Sequence, residues 1–184
     1  MRRALCVILI CLICTACSSE AELSPAIDFR SELVSSGGAS FSAEVLADFG
    51  QTVQSFCMDC RSDGVGKLTF TVTAPETLSG ITGTVTDSGG TITYDGMAMD
   101  FGLLANGNVI PAAAPAIVCA CWIDAYISST GQEGDGCRVT YEKDFEEKAL
   151  TVDTWFEKNI PICAEVCYND KRILSITFDD FSFS

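Results

Sequence analysis

The feature that most constrains the fold is an alternation of apolar and polar residues along much of the chain. In FSAEVLADF, residues 41–49, Phe41, Val45 and Phe49 share one face, and polar side chains occupy positions on the other. KLTFTVTA, residues 67–74, repeats this pattern. A period of two buries one face of a β-strand and leaves the other in water. The sequence therefore predicts a protein built mainly of half-buried strands.

Further strands are predicted at six segments, separated by short turn-forming joints. The segments are ITGTVTD, TITYDG, CRVTYEKD, ALTVDTWFE, PICAEVCY and RILSITFDDFSF. The joints are rich in Gly, Asn and Asp, as in Asp63-Gly64, Asp95-Gly96 and Asn169-Asp170. Joints of this kind connect neighbouring antiparallel strands as hairpins. We therefore expect an antiparallel, mainly meandering sheet with one face in water.

Two segments break the strand pattern and indicate helices. PAIDFRSELVSS, residues 25–36, has Ile27, Leu33 and Val34 at helical spacing and is followed by a glycine pair, a stop signal. It predicts an amphipathic N-terminal helix with these three side chains facing the core.

The second helical segment is PAAAPAIVCACWIDAYISS, residues 111–129, which is apolar nearly all round. A helix of that kind must be buried on most of its circumference. We expect this central helix to lie against the concave apolar face of the sheet, with Trp122, Ile123 and Tyr126 pointing into it.

The first residues have the pattern of a secretory signal. Arg2 and Arg3 precede an uncharged run, residues 4–14, that is shorter than the roughly 20 residues a bilayer-spanning helix needs. Residues 15–17, Thr-Ala-Cys, fit a lipobox, in which the cysteine is exposed by cleavage and acylated. This predicts a signal peptide over 1–16, acyl chains such as palmitate on Cys17, a polar tether to residue 25 and one domain over 26–184. Cleavage after Ala16 without acylation, or an uncleaved anchor, stays an alternative.

Charge and composition exclude several classes of function. The chain has 11 basic and 25 acidic side chains, and loss of Arg2 and Arg3 with the signal makes its net charge more negative than −14. This acidity disfavours nucleic-acid partners. The sequence contains no histidine, so Ser-His and Cys-His nucleophile pairs are absent. The carboxylate pair Asp179-Asp180 lies on opposite faces of a strand unless a bulge intervenes. We therefore expect no enzymatic activity and no cofactor.

The cysteines leave a further class open. Seven cysteines follow Cys17, and an odd number cannot all pair within the chain. Cys57 and Cys60 form a C-x-x-C, but alternate positions of a strand beginning near Thr52 point their thiols apart unless the strand bulges between them. A metal or redox protein would require this pair to meet Cys163 and Cys167 across neighbouring strands. It is an alternative, and no metal site is predicted.

Together these segments resemble a known family, the LolA/LolB-like lipoprotein carriers and their relatives, over roughly residues 25–184. The likeness is carried by PAIDFRSELV, FSAEVLADF, the turn TAPETLSGITGTV, the apolar helix near 115–128 and the closing stretch WFEKNIPICAEVCYNDKRILSITFDDFSF. The resemblance implies an α+β fold in which a strongly curved antiparallel sheet forms an unclosed half-barrel. The N-terminal helix and the central apolar helix would cover its concave face.

The resemblance also implies an apolar ligand in the concavity, and it makes ten side chains candidates for the lining. These are Phe41, Val45, Phe70, Val72, Trp122, Tyr126, Ile162, Val166, Ile176 and Phe178. The predicted protein is a lipoprotein, anchored on the extracytoplasmic face of a bacterial cell membrane, that binds a lipid or acyl chain. The same side chains could form a filled core, so a surface or regulatory lipoprotein without a small ligand is an alternative. The sequence identifies no protein partner.

Overall fold

The computed structural model describes residues 19–48, 53–105, 108–145, 148–168 and 171–184. Within these ranges the chain forms helices α1 (Ser19–Ser35) and α2 (Ala114–Asp124), and 3-10 turns at Glu76–Leu78 and Pro111–Ala113. The strands are β1 (Ala39–Asp48), β2 (Val53–Ser62), β3 (Leu68–Ala74), β4 (Thr82–Thr86), β5 (Gly89–Tyr94), β6 (Met97–Phe101), β7 (Leu104–Ala105), β8 (Asn108–Val109), β9 (Tyr126–Glu133), β10 (Gly136–Phe145), β11 (Lys148–Glu157), β12 (Ile160–Tyr168) and β13 (Lys171–Phe183). The predicted signal peptide and lipidation site, residues 1–16 and Cys17, lie outside the described residues.

Eleven strands form one antiparallel sheet, and β7 pairs with β8 in a separate hairpin. The strand order of the large sheet is β6-β5-β4-β3-β2-β1-β13-β12-β11-β10-β9. It consists of two meanders, which we call the first arm (β1–β6) and the second arm (β9–β13), joined where β1 pairs with β13. In the described part of the chain, the edge strands β6 and β9 do not pair with each other. The predicted antiparallel half-barrel, unclosed and covered by two helices, is confirmed.

The N-terminal helix is confirmed, but its inward face is not the predicted one. Helix α1 begins at Ser19, so it extends into the segment predicted as a tether. Leu33 is buried as expected, whereas Ile27 and Val34 are 49% and 46% exposed. Besides Leu33, the large side chain of α1 that faces inward is Phe29, which is fully buried. Phe29 and Leu33 lie one turn apart on the same face of α1. This face buries the phenylalanine ring, which is larger than the side chains of Ile27 and Val34.

The central helix is also confirmed and is shorter than predicted. Helix α2 ends at Asp124, and the chain continues from Tyr126 as strand β9. The prediction that Tyr126 points into the core is wrong, because its side chain is 72% exposed. A short apolar run fits a buried helix or a strand equally well, and the β-branched and hydroxyl residues after position 126 favour the strand. In the described residues, neither helix combines the length and apolarity needed to cross a bilayer.

Arg30 of α1 fixes the position of α2. Its Nε donates a hydrogen bond to the carbonyl of Trp122 at 2.7 Å, and its Nη2 donates to the carbonyls of Ala125 at 2.7 Å and Cys121 at 3.3 Å. The last carbonyls of a helix have no partner within it, so a guanidinium placed there satisfies them. Trp122 is anchored separately, since its Nε1 donates to the buried Thr154 hydroxyl at 3.0 Å.

Aromatic rings fill the concave face of the sheet next to α1 and α2. The ring of Trp122 lies 5.4 Å from that of Phe29 and 5.2 Å from that of Phe178. Phe41 lies 5.4 Å from Phe178 and stacks on Phe181 at 5.8 Å. We call these five residues the aromatic cluster. Rings at such distances make favourable edge or offset contacts, and they leave this part of the concavity filled.

A β-bulge in β13 brings Phe178 and Phe181 of the aromatic cluster inward. Ser40 pairs with Ser182 and Ser42 pairs with Asp179, so β13 contains one residue more than β1 between these pairs. Asp180 has a positive φ of 52°. The extra residue lets both Phe178 and Phe181 contact Phe41, although they are three positions apart. The bulge that the sequence suggested at this point is confirmed.

Candidate ligand-binding cavity

A cavity of about 500 Å³ lies between the two arms of the sheet, next to α2. The first arm contributes β4 and the turn that follows it, and the second arm contributes β10 and β11. Helix α2 and the segment after β6 complete the wall. The lining includes Val85, Asp87, Ser88, Leu103, Ala116, Ile117, Ala120, Asp124, Lys143 and Leu150. The cavity is therefore built by parts of the chain that the strand order places far apart in the sheet.

The interior wall of this cavity is apolar. Val85 and Leu150 are completely buried on opposite arms, and Ile117 is buried on α2. Ala116 and Ala120 lie one helical turn apart and both line the cavity. Their small side chains leave open the space that a larger apolar residue would fill. The alanine pair is visible in the sequence, but the sequence does not show whether side chains of the facing strands fill the space beside it.

The rim of the cavity is polar and charged. Lys143 on β10 donates to both carboxylate oxygens of Asp124, at 2.7 and 3.0 Å, and this ion pair joins the second arm to the end of α2. Asp87 and Ser88 form the turn between β4 and β5 on the first arm, and both are exposed. The cavity thus combines an apolar interior with polar groups at its mouth, the arrangement of a site for an amphipathic molecule.

None of the ten predicted lining residues lines this cavity. Eight are buried in the core: Phe41, Val45, Phe70, Val72, Trp122, Val166, Ile176 and Phe178. Tyr126 is exposed at the start of β9. Ile162 is half-buried and does not pack against the core, because the register shift after Trp155 turns Pro161 inward in its place. The predicted lining residues therefore belong mainly to the filled part of the concavity, and the open space is the cavity beside α2.

The C-x-x-C of β2 is not a paired site. Cys60 is buried and Cys57 is half-buried, on opposite faces of the strand. β2 pairs with β1 residue by residue through this stretch, so β2 has no bulge between the two thiols. The register shift against β3 leaves the extra residue, Thr73, on β3. Burial raises the pKa of Cys60 to about 12. The prediction that the two thiols point apart is confirmed.

The other cysteines do not form a ligand cluster with them. Within the described residues, none of the seven cysteines after Cys17 forms a disulfide. Cys163 and Cys167 are half-buried on the outer face of β12, which they share with Glu165. Nowhere in the described ranges do three or more Cys, Asp or Glu side chains come together in a way that could hold a metal ion.

Tyr141 on β10 carries an unusual polar group in the core. Its side chain is completely buried, and within the described part of the chain its hydroxyl has no hydrogen-bond partner. The guanidinium carbon of Arg30 lies 5.8 Å from the centre of its ring. Burial raises the pKa of Tyr141, so the phenol stays protonated in the folded protein at neutral pH.

Comparison with known proteins identifies the fold. The sequence matches no family model and no curated protein sequence. A solved domain from Vibrio parahaemolyticus, provisionally described as an outer membrane lipoprotein-sorting protein, superposes with a TM-score of 0.52 and 10% identity. The match covers 91% of this chain and 94% of that one. The chain has a LolA-like fold.

Two other solved structures are similar to this LolA-like chain. The LolA superfamily protein from Nitrosomonas europaea has a TM-score of 0.45 and 9% identity, with 92% of this chain and 94% of that one covered. The lipoprotein LppX from Mycobacterium tuberculosis has a TM-score of 0.41 and 11% identity, over 88% and 93% of the two chains. At these identities the likeness concerns the fold, and function has to be argued from the cavity.

Proposed function

We propose that the protein is an extracytoplasmic lipoprotein, anchored by acyl chains on Cys17, that binds the hydrocarbon chain of a lipid in the cavity beside α2. The observation that carries this proposal is the cavity itself, with an apolar interior between the arms and a polar mouth. The LolA-like fold supports it, since the Vibrio parahaemolyticus domain with this fold is provisionally described as an outer membrane lipoprotein-sorting protein.

The size and the walls of the cavity suit a hydrocarbon chain. A volume of about 500 Å³ falls within the range of about 300–1,000 Å³ that is usual for small-molecule sites. Val85, Ile117 and Leu150 present apolar surface from three directions. Each methylene removed from water contributes about 0.8 kcal/mol, so a chain of ten or more can offset the cost of association.

The filled aromatic cluster directs the ligand to this cavity. Trp122 and Phe178 were predicted to line the ligand site. The other rings of the aromatic cluster instead occupy the space around them. A ligand could enter there only by displacing α2, which Arg30 and Thr154 hold in place. The open end of the concavity requires no such movement.

We further propose that the protein acts by binding and not by catalysis. Its sequence has no histidine, and the polar groups at the mouth of the cavity are an ion pair, a carboxylate and hydroxyls. These groups can orient a ligand, but they include no nucleophile with an adjacent base.

Filling the cavity tests the proposal. Ala120→Phe and Ala116→Phe place a ring where the hydrocarbon chain would lie, whereas Ile123→Phe adds a ring on the same helix outside the cavity lining. The uncharged dye N-phenyl-1-naphthylamine should bind the unmodified protein and the Ile123 variant. It should bind the two alanine variants at least tenfold more weakly, while their melting temperatures stay equal or rise because a void is filled.

A second measurement addresses ligand and anchor directly. Native mass spectrometry of protein purified from bacteria should detect a co-purifying lipid mass that is reduced in Ala120→Phe. Replacing Cys17 with Ser should move the protein from the detergent phase to the aqueous phase in a phase-partition experiment. If only the mass of the protein itself is detected and no dye binds, the protein would instead be a surface or regulatory lipoprotein without a small ligand.

A further inference from the structure

At the mouth of the cavity, negatively charged side chains outnumber positively charged ones, and they are not equally accessible to a ligand. Among the described residues, three charged side chains line the cavity: Asp87 from the first arm, Asp124 at the end of α2 and Lys143 from the second arm. Their sum is one negative charge. The rim therefore has an electrostatic preference, which depends on which of the three remains available to a ligand.

The single positive charge is already neutralised. The Lys143 ammonium contacts both oxygens of Asp124, and its side chain is only 26% exposed, compared with 57% for Asp124. A ligand carboxylate would have to share the Lys143 ammonium with Asp124 or displace Asp124 from it. That displacement would leave Asp124 without its cation at the C-terminus of α2, where the helix dipole already disfavours a negative charge.

The carboxylate on the first arm is available. Asp87 is exposed and makes no ion pair within the described residues. The hydroxyls of Thr86 and Ser88 flank it, 3.1 Å from each other, and Thr86 also donates to the carbonyl of Gly89 at 3.2 Å. The mouth thus offers one free carboxylate and hydroxyl oxygens, which are acceptors for the N–H donors of a cationic head.

From this geometry we propose that the cavity takes amphiphiles whose head group is positively charged, with Asp87 as the residue that pairs with the head. The ligand's hydrocarbon chain lies against Ile117 and Leu150, and its ammonium lies at the turn between β4 and β5. Anionic heads are disfavoured by repulsion from Asp87 and by competition with Asp124 for the Lys143 ammonium. This inference rests on the proposed function and specifies the class of ligand.

Two amphiphiles of equal chain length test the preference. Dodecylammonium and dodecanoate are compared by their ability to displace N-phenyl-1-naphthylamine, below their critical micelle concentrations and at low salt. Opposite charges near one partly exposed carboxylate should differ in affinity by about tenfold in favour of the ammonium. The difference should shrink in 1 M salt, where the Debye length is about 3 Å.

Matched variants locate the effect. Asp87→Asn should remove most of the preference for dodecylammonium. Asp95→Asn makes the same charge change at the turn between β5 and β6, outside the cavity lining, and the left-handed backbone at that position, φ 48°, tolerates asparagine. This control should retain the preference.

The outcomes separate this inference from the proposed function. If the protein binds neither the dye nor any amphiphile, the proposed function is wrong, and the inferred head-group preference is wrong as well. If both amphiphiles displace the dye equally, the cavity binds hydrocarbon chains and the head-group inference is wrong. If dodecylammonium is preferred but both aspartate variants reduce the preference alike, the overall negative charge causes it, and Asp87 does not pair with the head.

Discussion

Replacing Arg30 with Met should loosen α2 and lower the free energy of unfolding. Methionine keeps much of the length and apolar stem of the side chain, and it removes the guanidinium that donates to the carbonyls of Trp122 and Ala125. The carbonyl of Cys121 keeps one hydrogen bond after the substitution, because it also accepts from the amide of Ala125 at 3.1 Å. The substitution therefore leaves two carbonyls at the end of α2 without their short, charged donors.

The magnitude follows from those two bonds. A hydrogen bond to a charged group contributes about 1.5–3 kcal/mol, which gives about 3 kcal/mol for the pair at the lower value. Arg30 is half-buried, so water can replace part of what is lost, and we expect a decrease of about 2 kcal/mol. For a domain of this size that decrease corresponds to about 4–8 °C in melting temperature.

Urea unfolding followed by tryptophan fluorescence measures the effect. Arg172→Met is the matched control, because Arg172 makes a single ion pair with Glu165 on the solvent-exposed face. Its midpoint should stay that of the unmodified protein. Arg30→Lys should recover part of the loss, since an ammonium can reach one carbonyl but not both. An Arg30→Met midpoint equal to that of the unmodified protein, with an unchanged slope, would show that Arg30 does not secure α2.

Three further substitutions test the packing and the buried groups. Gly83→Ala should cost about 1–3 kcal/mol, because the new Cβ would lie 2.4 Å from the ring of Phe70, whereas Gly131→Ala, with nothing within 4 Å, should be neutral in the same urea titration. Tyr141→Phe should leave stability equal or raise it by up to about 1 kcal/mol, since it removes a buried hydroxyl without a partner, and a clear loss would show that a bond is made there. Because the pKa of Cys60 is raised from 9.0 to about 12, the unfolded chain loses this proton first, so stability should fall as pH rises above 9. The fall should be smaller in Cys60→Ala, measured as urea midpoints on either side of pH 9.

The alternation of residues was sufficient to predict most of the sheet. Strands such as β3 and β10 follow a clean period of two, and the joints between them are turn-forming. Phe29 was missed because helical spacing alone allows several faces for α1, and tertiary contact with the aromatic cluster selects among them. The start of β9 was assigned to α2, because an apolar run does not by itself distinguish a buried helix from a strand.

The cavity was beyond the reach of the same reasoning. Periodicity tells which side of a strand faces inward, but it does not tell whether the space in front of that side is filled. Phe41 and Val166 do face inward, and neighbouring side chains fill the space in front of them. The open space lies where Ala116 and Ala120 face Leu150 of the second arm. That meeting depends on how far the sheet curves, which local sequence does not specify.

The pairing of β1 with β13 sets the order in which the chain can fold. The amide of Ser184 donates to the carbonyl of Gly38, so the end of β13 lies beside the start of β1. During synthesis, β2 can pair with β1 as soon as both strands have been made. The other edge of β1 stays unpaired until β13, the last strand, has been made. That closure joins residues far apart in sequence and is intrinsically slow. Until that pairing forms, the open edge of β1 therefore leaves the partly folded chain at risk of edge-to-edge aggregation.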